Sequence, residues 1–223
     1  MNEKDLYLMA YLKDNLSAFD NGPVLLDVKS TQFVRVNLLL LKAFSSMPGR
    51  PGMFIAVDRP HHYMLHLMGM HQIDPQGLIF IDAISRFAAD TKNSHNPANQ
   101  LNAPSNIDSL PSVIRDWAGN SLQPAPVDLQ RCRFAMIDNI SSLLLYNSFN
   151  NVEVFLQDFI DVLTSHARVQ IPLLVDRERN CMLYEAARAL CPHEISVNDG
   201  ILASMSLTGK RNGIARIVDS NEV

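Results

Sequence analysis

Cysteine is scarce in this chain. Its 223 residues include three cysteines, Cys132, Cys181 and Cys191, and no two of them form a CxxC pair. The spacing therefore excludes a CxxC redox or zinc motif. An odd number of dispersed cysteines is typical of reduced thiols packed as small hydrophobic side chains, which predicts a cytoplasmic protein.

Long hydrophobic runs and basic runs are also missing. No stretch approaches the roughly 18 apolar residues that a membrane span needs, and both signs of charge interrupt the first apolar positions, so neither a membrane segment nor a secretory signal is expected. The net charge is −4 without a Lys/Arg run, so no nucleic-acid surface is predicted. The length suits one α/β domain over residues 1–223 with a well-buried core.

Continuous apolar strands alternate with amphipathic helices along the chain. Strands are predicted at residues 24–27, 53–58, 77–82, 133–138, 171–176 and 193–197. Helices are predicted at residues 3–19, 30–44, 61–70 and 182–190, and from Asn150 onward with Glu153 completing a capping box. The alternation indicates an α/β fold whose mostly parallel central sheet is covered by helices on both faces. Short strands at 203–207 and 213–218 predict a C-terminal β-hairpin.

Residues 87–130 are rich in Asn, Pro and Ser. They predict a long loop with a short helix near residues 109–117. A loop of this length inside a compact domain is either functional or a disordered insertion. The two interpretations here are a partner-binding or assembly element and a plain surface insertion.

An aspartate follows each of five predicted strands. These residues are Asp27, Asp58, Asp82, Asp138 and Asp176. Because the carboxyl ends of parallel strands share one edge, where ligands bind, the carboxylates could hold Mg²⁺ there. They could equally cap helices and loops, with Lys29, Arg59 and Arg177 neutralising three of them.

His62 and His66 are four residues apart in a predicted helix, so they lie on one helix face. With Asp58 just before the helix, they could form a three-ligand zinc or iron site. The alternative is that both are ordinary histidines without a metal.

One segment resembles a known family. Residues 133–144, RFAMIDNISSLL, are similar to the Walker B strand of the RecA/KaiC-like ATPases, in particular the archaeal KaiC-like group. Beyond this segment, the order of the predicted strands and helices resembles that family over most of the chain. The resemblance implies a RecA-like P-loop NTPase fold with Asp138 as the magnesium-associated aspartate. Residues 208–213, TGKRNG, are similar to a late region of that family, which implies that Lys210 and Arg211 reach a neighbouring subunit's nucleotide, unless they are solvated turn charges.

The resemblance fails at the Walker A loop. A phosphate loop reads GxxxxGK[ST], and its glycines let backbone N–H groups surround the phosphates. The same interval here, residues 27–35, reads DVKSTQFVR and has no glycine, with Phe33 and Val34 where Gly and Lys belong. Lys29, Ser30 and Thr31 mimic the lost groups only in part. The resemblance is also broken at the family's catalytic acid, because Asp58, followed by Arg59 and Pro60, stands where a paired glutamate is expected.

These observations predict a pseudo-ATPase with no resident cofactor. Its function would be that of a regulatory or scaffold protein that associates with a protein partner or with its own copies. Two alternatives remain open. The first is a divergent Mg²⁺-dependent phosphoryl-transfer enzyme that uses Asp58, Asp82 and Asp138. The second is a sensor that binds ATP without hydrolysis through Lys29, Ser30, Thr31 and Asp138.

Overall fold

A computed structural model describes residues 3–19, 21–46, 52–84, 99–100, 104–119 and 129–197. The strands form one sheet of seven in the order β4-β3-β2-β5-β6-β1-β7, and every pairing is parallel. Their bounds are β1 Gly22–Val28, β2 Gly52–Ala56, β3 Leu78–Asp82, β4 Asn99–Gln100, β5 Phe134–Ile137, β6 Gln170–Val175 and β7 His193–Val197. This confirms the predicted α/β fold and is consistent with a RecA-like arrangement.

Within the described ranges, six α-helices cover the sheet. They are α1 Glu3–Ala18, α2 Phe33–Ser45, α3 His61–Met70, α4 Leu110–Gly119, α5 Phe149–His166 and α6 Cys181–Leu190. Short 3₁₀ turns lie at Ser30–Gln32, Pro104–Ser109, Leu129–Arg131 and Ile140–Leu145. No helix within the described ranges is long and apolar enough to cross a bilayer.

The two faces of the sheet bury separate cores. Successive residues of a strand point to opposite faces. Leu25 accordingly belongs to the core on the face that α4, α5 and α6 cover, whereas Leu26 belongs to the core on the face that α1, α2 and α3 cover. Because both faces are covered, the strands are apolar throughout, which is the pattern that made them recognisable in the sequence.

The predicted start of α5 is wrong by one residue, and its cap is a different side chain. Ser148 is the N-cap, and its Oγ accepts a hydrogen bond from the amide of Asn151 at 3.3 Å. Asn150 already lies inside the helix, so Asn150 and Glu153 do not form a capping box. Ser148 thus satisfies a free amide of the first turn from a position two residues before Asn150.

The interval 87–130 is only partly a loop. The predicted short helix is confirmed as α4, and Asn99–Gln100 adds a short strand beside β3. Ile107, Leu110 and Ile114 are buried in the core under α5, so this part of the interval stabilises the domain. The predicted C-terminal hairpin, with Lys210 and Arg211, lies outside the described residues.

The chain path creates two crevices at the carboxyl edge of the sheet. The helices that follow β2 and β5 lie on opposite faces, and so do the helices that follow β6 and β1. Neighbouring strands whose connections diverge in this way leave a crevice in which open α/β sheets bind ligands. We refer to these places as the β2/β5 crevice and the β6/β1 crevice.

Candidate functional site

The β2/β5 crevice is filled by the carboxylate of Asp138. This residue follows β5 and is 1% exposed. Its Oδ1 accepts the amide of Val57 at 2.8 Å, its Oδ2 accepts the amide of Arg59 at 3.1 Å, and the Asp58 amide lies 3.2–3.3 Å from both oxygens. Three consecutive N–H groups thus surround one carboxylate, an arrangement that elsewhere binds external anions.

Burial determines the protonation of Asp138. Loss of water raises the pKa of this carboxyl to about 7, and the nearby Asp58 carboxylate raises it as well, while the amide donors offset part of the effect. The backbone is fixed from the other side, because Asn37 of α2, itself buried, donates to the carbonyl of Asp138 at 2.7 Å.

Asp58 sits beside this group and is also engaged. Its Oδ1 accepts the hydroxyl of Ser142 at 2.8 Å, and its Oδ2 accepts Nη1 of Arg59 at 2.5 Å. The structure therefore brings Asp58 and Asp138 together, as the strand-end pattern predicts. It also surrounds both with donors from the chain itself.

The β6/β1 crevice is filled in the same way by Asp176. Its Oδ2 accepts the amide of Ser30 at 2.7 Å, and its Oδ1 accepts the amide of Arg179 at 3.2 Å. Burial alone would raise the pKa of Asp176, but the donors from Ser30 and Arg179 outweigh it and hold that pKa below its ordinary value.

The Ser30 amide belongs to the turn whose sequence was compared above with a Walker A loop. That turn is a single 3₁₀ turn, Ser30–Gln32. Phe33 follows it as the first residue of α2, and its side chain is buried in the core that α1 and α2 cover. Lys29 and Thr31 are exposed beside it. A carboxylate of the chain thus binds the first amide of this turn.

Asp27, the last acid of this edge, lies at the end of β1. Its Oδ1 accepts the amide of Arg177 at 3.4 Å, and the Arg177 guanidinium stacks 4.9 Å from the centre of the Tyr184 ring. Burial raises the pKa of Asp27, with the charges of Glu194 and Asp176 adding to the effect and Arg177 opposing it.

Asp82 forms a third, separate arrangement. It is fully buried at the end of β3, where Oδ1 accepts the amide of Ile84 and Oδ2 accepts the amide of His61, both at 2.9 Å. Nδ1 of His61 lies 2.5 Å from the same Oδ2. Nε2 of His61 is buried and has no hydrogen-bond partner within the part of the chain that the structure describes.

The i, i+4 spacing in the sequence pointed to His62 and His66 and did not point to His61. A signal for His61 existed: it follows Pro60 at the first position of a helix, and β2 and β3 are neighbours, so the start of α3 lies beside the end of β3. Among the described residues no group of three His, Cys, Asp or Glu side chains could hold a metal ion, so Asp58, His62 and His66 are not brought together as ligands.

The strand-end acids are thus divided among three places. Asp138 and Asp58 share one crevice, Asp176 and Asp27 share the other, and Asp82 pairs with His61. The capping interpretation describes the geometry of Asp82, Asp138 and Asp176, because each accepts at least two backbone N–H groups.

Away from this edge, an open groove runs between the start of α5 and α6. It is a shallow depression of about 470 Å³ that is largely open to solvent. Its lining consists of Phe149, Glu153, Cys181, Met182, Glu185, Ala186 and Ala189. We refer to it as the α5/α6 groove.

The groove gives Cys181 a reactivity that the other thiols lack. Cys181 is exposed, whereas burial raises the pKa of Cys132 to about 11 and that of Cys191 to about 12. Since the thiolate is the reacting species, iodoacetamide at pH 8 is expected to modify Cys181 first. Peptide mapping after brief exposure measures this, with Cys181→Ser as the control. Early modification of Cys132 or Cys191 would contradict the described packing.

No family model matches this sequence, and no curated protein matches it. Among solved structures, one similar chain is the uncharacterised protein PH0321 from Pyrococcus horikoshii, crystallised in complex with an unknown peptide. The TM-score is 0.58 at 8% sequence identity, over 81% of this chain and 78% of that chain. At that identity the likeness establishes a shared fold and nothing about activity, and the RecA/KaiC resemblance stays a prediction.

Proposed function

We propose that this chain is a RecA-like module that does not hydrolyse nucleotide and acts by binding a segment of another protein. The observation that carries the proposal is the occupation of both crevices by internal carboxylates. Asp138 holds the amides of residues 57–59, and Asp176 holds the amide of Ser30.

The electrostatics of the β6/β1 crevice oppose a polyphosphate. A phosphate group that approached the Ser30 amide would have to displace the Asp176 carboxylate, whose depressed pKa keeps it ionised at neutral pH. Like charges brought together in a partly buried place repel strongly. Asp27 stands next to the same position and supplies no donor of its own.

The binding part of the proposal has different support. PH0321, which shares the fold, was crystallised with a peptide. In this chain the α5/α6 groove presents apolar side chains to solvent, and exposed apolar surface within a groove is typical of a protein-interaction site.

Nucleotides are expected to leave the stability of the protein unchanged. A ligand present at a hundred times its Kd stabilises a native state by about 2.7 kcal/mol, which for a domain of this size raises Tm by about 5 °C or more. Thermal unfolding with millimolar ATP, ADP and Mg²⁺, singly and together, measures this. Asp176→Asn is the matched variant, because it removes the opposing charge while keeping one acceptor.

A saturable rise in Tm with ATP and Mg²⁺ in the unmodified protein, or ATP turnover above background, would overturn the proposal. Peptide binding is the opposite expectation: members of a panel of amphipathic peptides should raise Tm under the conditions in which nucleotides do not. A panel without any response, together with a single monomeric species in sedimentation over a wide concentration range, would contradict the binding part.

A further inference from the structure

We infer that the α5/α6 groove docks a short amphipathic helix of a partner protein that carries Lys or Arg beside its apolar face. The inference rests on the proposed function and deepens it, because it names the surface and the chemistry of the partner.

The floor of the groove is apolar and partly open to solvent. Met182 is 63% exposed, and Phe149 and Ala186 line the groove beside it. A flexible, polarisable methionine adapts to different apolar partners, which is why such side chains recur at peptide-binding surfaces. Covering these side chains removes apolar area from water, so the groove gains from an apolar occupant.

The rim of the groove selects the charge of that occupant. Glu153 of α5 and Glu185 of α6 both line it. α5 also carries Asp158 and Asp161 and contains no Lys or Arg over its 18 residues. Arg188 lies 3.7 Å from Glu185, but both side chains are largely exposed, so this pair neutralises the rim only weakly. Charge complementarity therefore favours a cationic segment over an acidic one.

Both walls of the groove are held in place before any partner arrives. Ser148 caps the start of α5. At the start of α6, Asn180 donates to Oγ of Ser141 at 3.2 Å, and its amide donates to the carbonyl of Asp176 at 2.8 Å. A groove whose walls are already fixed loses little backbone conformational entropy on docking, although exposed side chains such as Met182 are ordered by the partner.

The probe is a fluorescein-labelled peptide of about 16 residues with Leu at i, i+3, i+4 and i+7 and Lys on the flanks of that face. Fluorescence anisotropy measures its Kd at physiological salt. The double variant Glu153→Lys with Glu185→Lys is expected to weaken binding by at least tenfold, and Met182→Ser by several-fold. Glu3→Lys combined with Asp14→Lys in α1 is the matched control, because it makes the same total charge change on the other face of the sheet and should leave Kd unchanged.

Cys181 supplies a second readout from inside the groove. Saturating peptide is expected to slow alkylation of Cys181 at least fivefold in the unmodified protein. The same concentration should have little effect in the double Glu→Lys variant. A peptide with Glu in place of every Lys should neither bind nor protect.

The outcomes separate this inference from the proposed function. Binding that the groove variants leave unchanged, or equal binding of the Glu-containing peptide, overturns the groove inference while peptide binding by the module stands. Protection of Cys181 that rises with protein concentration in the absence of peptide makes a second copy of this chain the occupant, and also overturns it. Failure of the probe peptide to bind at all overturns the groove inference. Binding of ATP with Mg²⁺ contradicts the proposed function itself.

Discussion

Replacement of Gly52 by alanine is expected to destabilise the protein by about 3 kcal/mol, because the new methyl group has no room. Gly52 pairs with Phe134 across β2 and β5, and a Cβ on Gly52 would lie 2.1 Å from Cζ of that ring. The ring is fully buried and stacks on Phe44 at 4.2 Å between centroids. Moving it therefore displaces a second aromatic side chain of the same core.

Gly69→Ala provides the matched control for this prediction. Gly69 lies in the last turn of α3, and apart from its chain neighbours and the backbone of its own helix no described atom lies within 4 Å of a Cβ built there. Alanine at that position is expected to be neutral or to stabilise by up to about 1 kcal/mol, since it restricts the unfolded chain and favours the helix. Urea unfolding of both variants measures the free energies directly.

Phe134→Leu tests the cause of the Gly52→Ala effect. If the methyl group collides with the ring, the double variant loses less stability than the sum of the two single variants. Full additivity of the two losses, or a Gly52→Ala protein as stable as Gly69→Ala, would contradict the described register of β2 and β5.

Gly52 also illustrates what the sequence could not specify. The predicted strand begins at residue 53, but the structure places Gly52 inside β2 as well. The reason is tertiary: its missing side chain leaves space for Phe134, a residue 82 positions later in the chain. The strands themselves were predictable, because burial on both faces makes each one a continuous apolar run.

The candidate site was predictable in composition but not in pairing. Asp138 and Asp176 stand out as acids directly after apolar strands, and capping was one of the two interpretations of that pattern. Which amides they meet depends on strand order. Asp138 reaches residues 57–59 because β5 pairs with β2, and Asp176 reaches Ser30 because β6 pairs with β1. Local patterning does not determine that order, and the pairing of His61 with Asp82 was missed for the same reason.

Replacement of Asp138 by alanine is expected to cost about 4 kcal/mol. The substitution leaves the amides of Val57, Asp58 and Arg59 without their acceptor, in a place where the carboxylate is 1% exposed. Each buried donor left unsatisfied costs about 1–3 kcal/mol, and water that enters the space recovers part of the sum. Asp138→Asn keeps one acceptor oxygen, so its loss should be smaller. Urea unfolding at a fixed pH compares the two variants.

The pH dependence of stability distinguishes the two protonation states of Asp138. The pKa is about 7 in the folded protein and about 3.9 in an unfolded chain, so between these values the native carboxyl holds a proton that the unfolded one has lost. The stability that Asp138 contributes in this way is fully present below about pH 4. It falls as pH rises towards 7, by up to about 1.4 kcal/mol per unit.

The Asp138→Asn protein cannot titrate at this position, so its free energy of unfolding should decline less steeply between pH 4 and 7 than that of the unmodified protein. The contribution of Asp176 to stability is expected to change with pH in the opposite direction. Its folded pKa is depressed, so its contribution is present above pH 4 and is lost as pH falls, and Asp176→Asn should flatten the acid side of the profile instead. Identical slopes for the unmodified and Asp138→Asn proteins from pH 4 to 7 would mean that the three amide donors outweigh burial. The Asp138 carboxylate would then be ionised throughout that range, because the three N–H groups stabilise its negative charge as they would that of a bound anion.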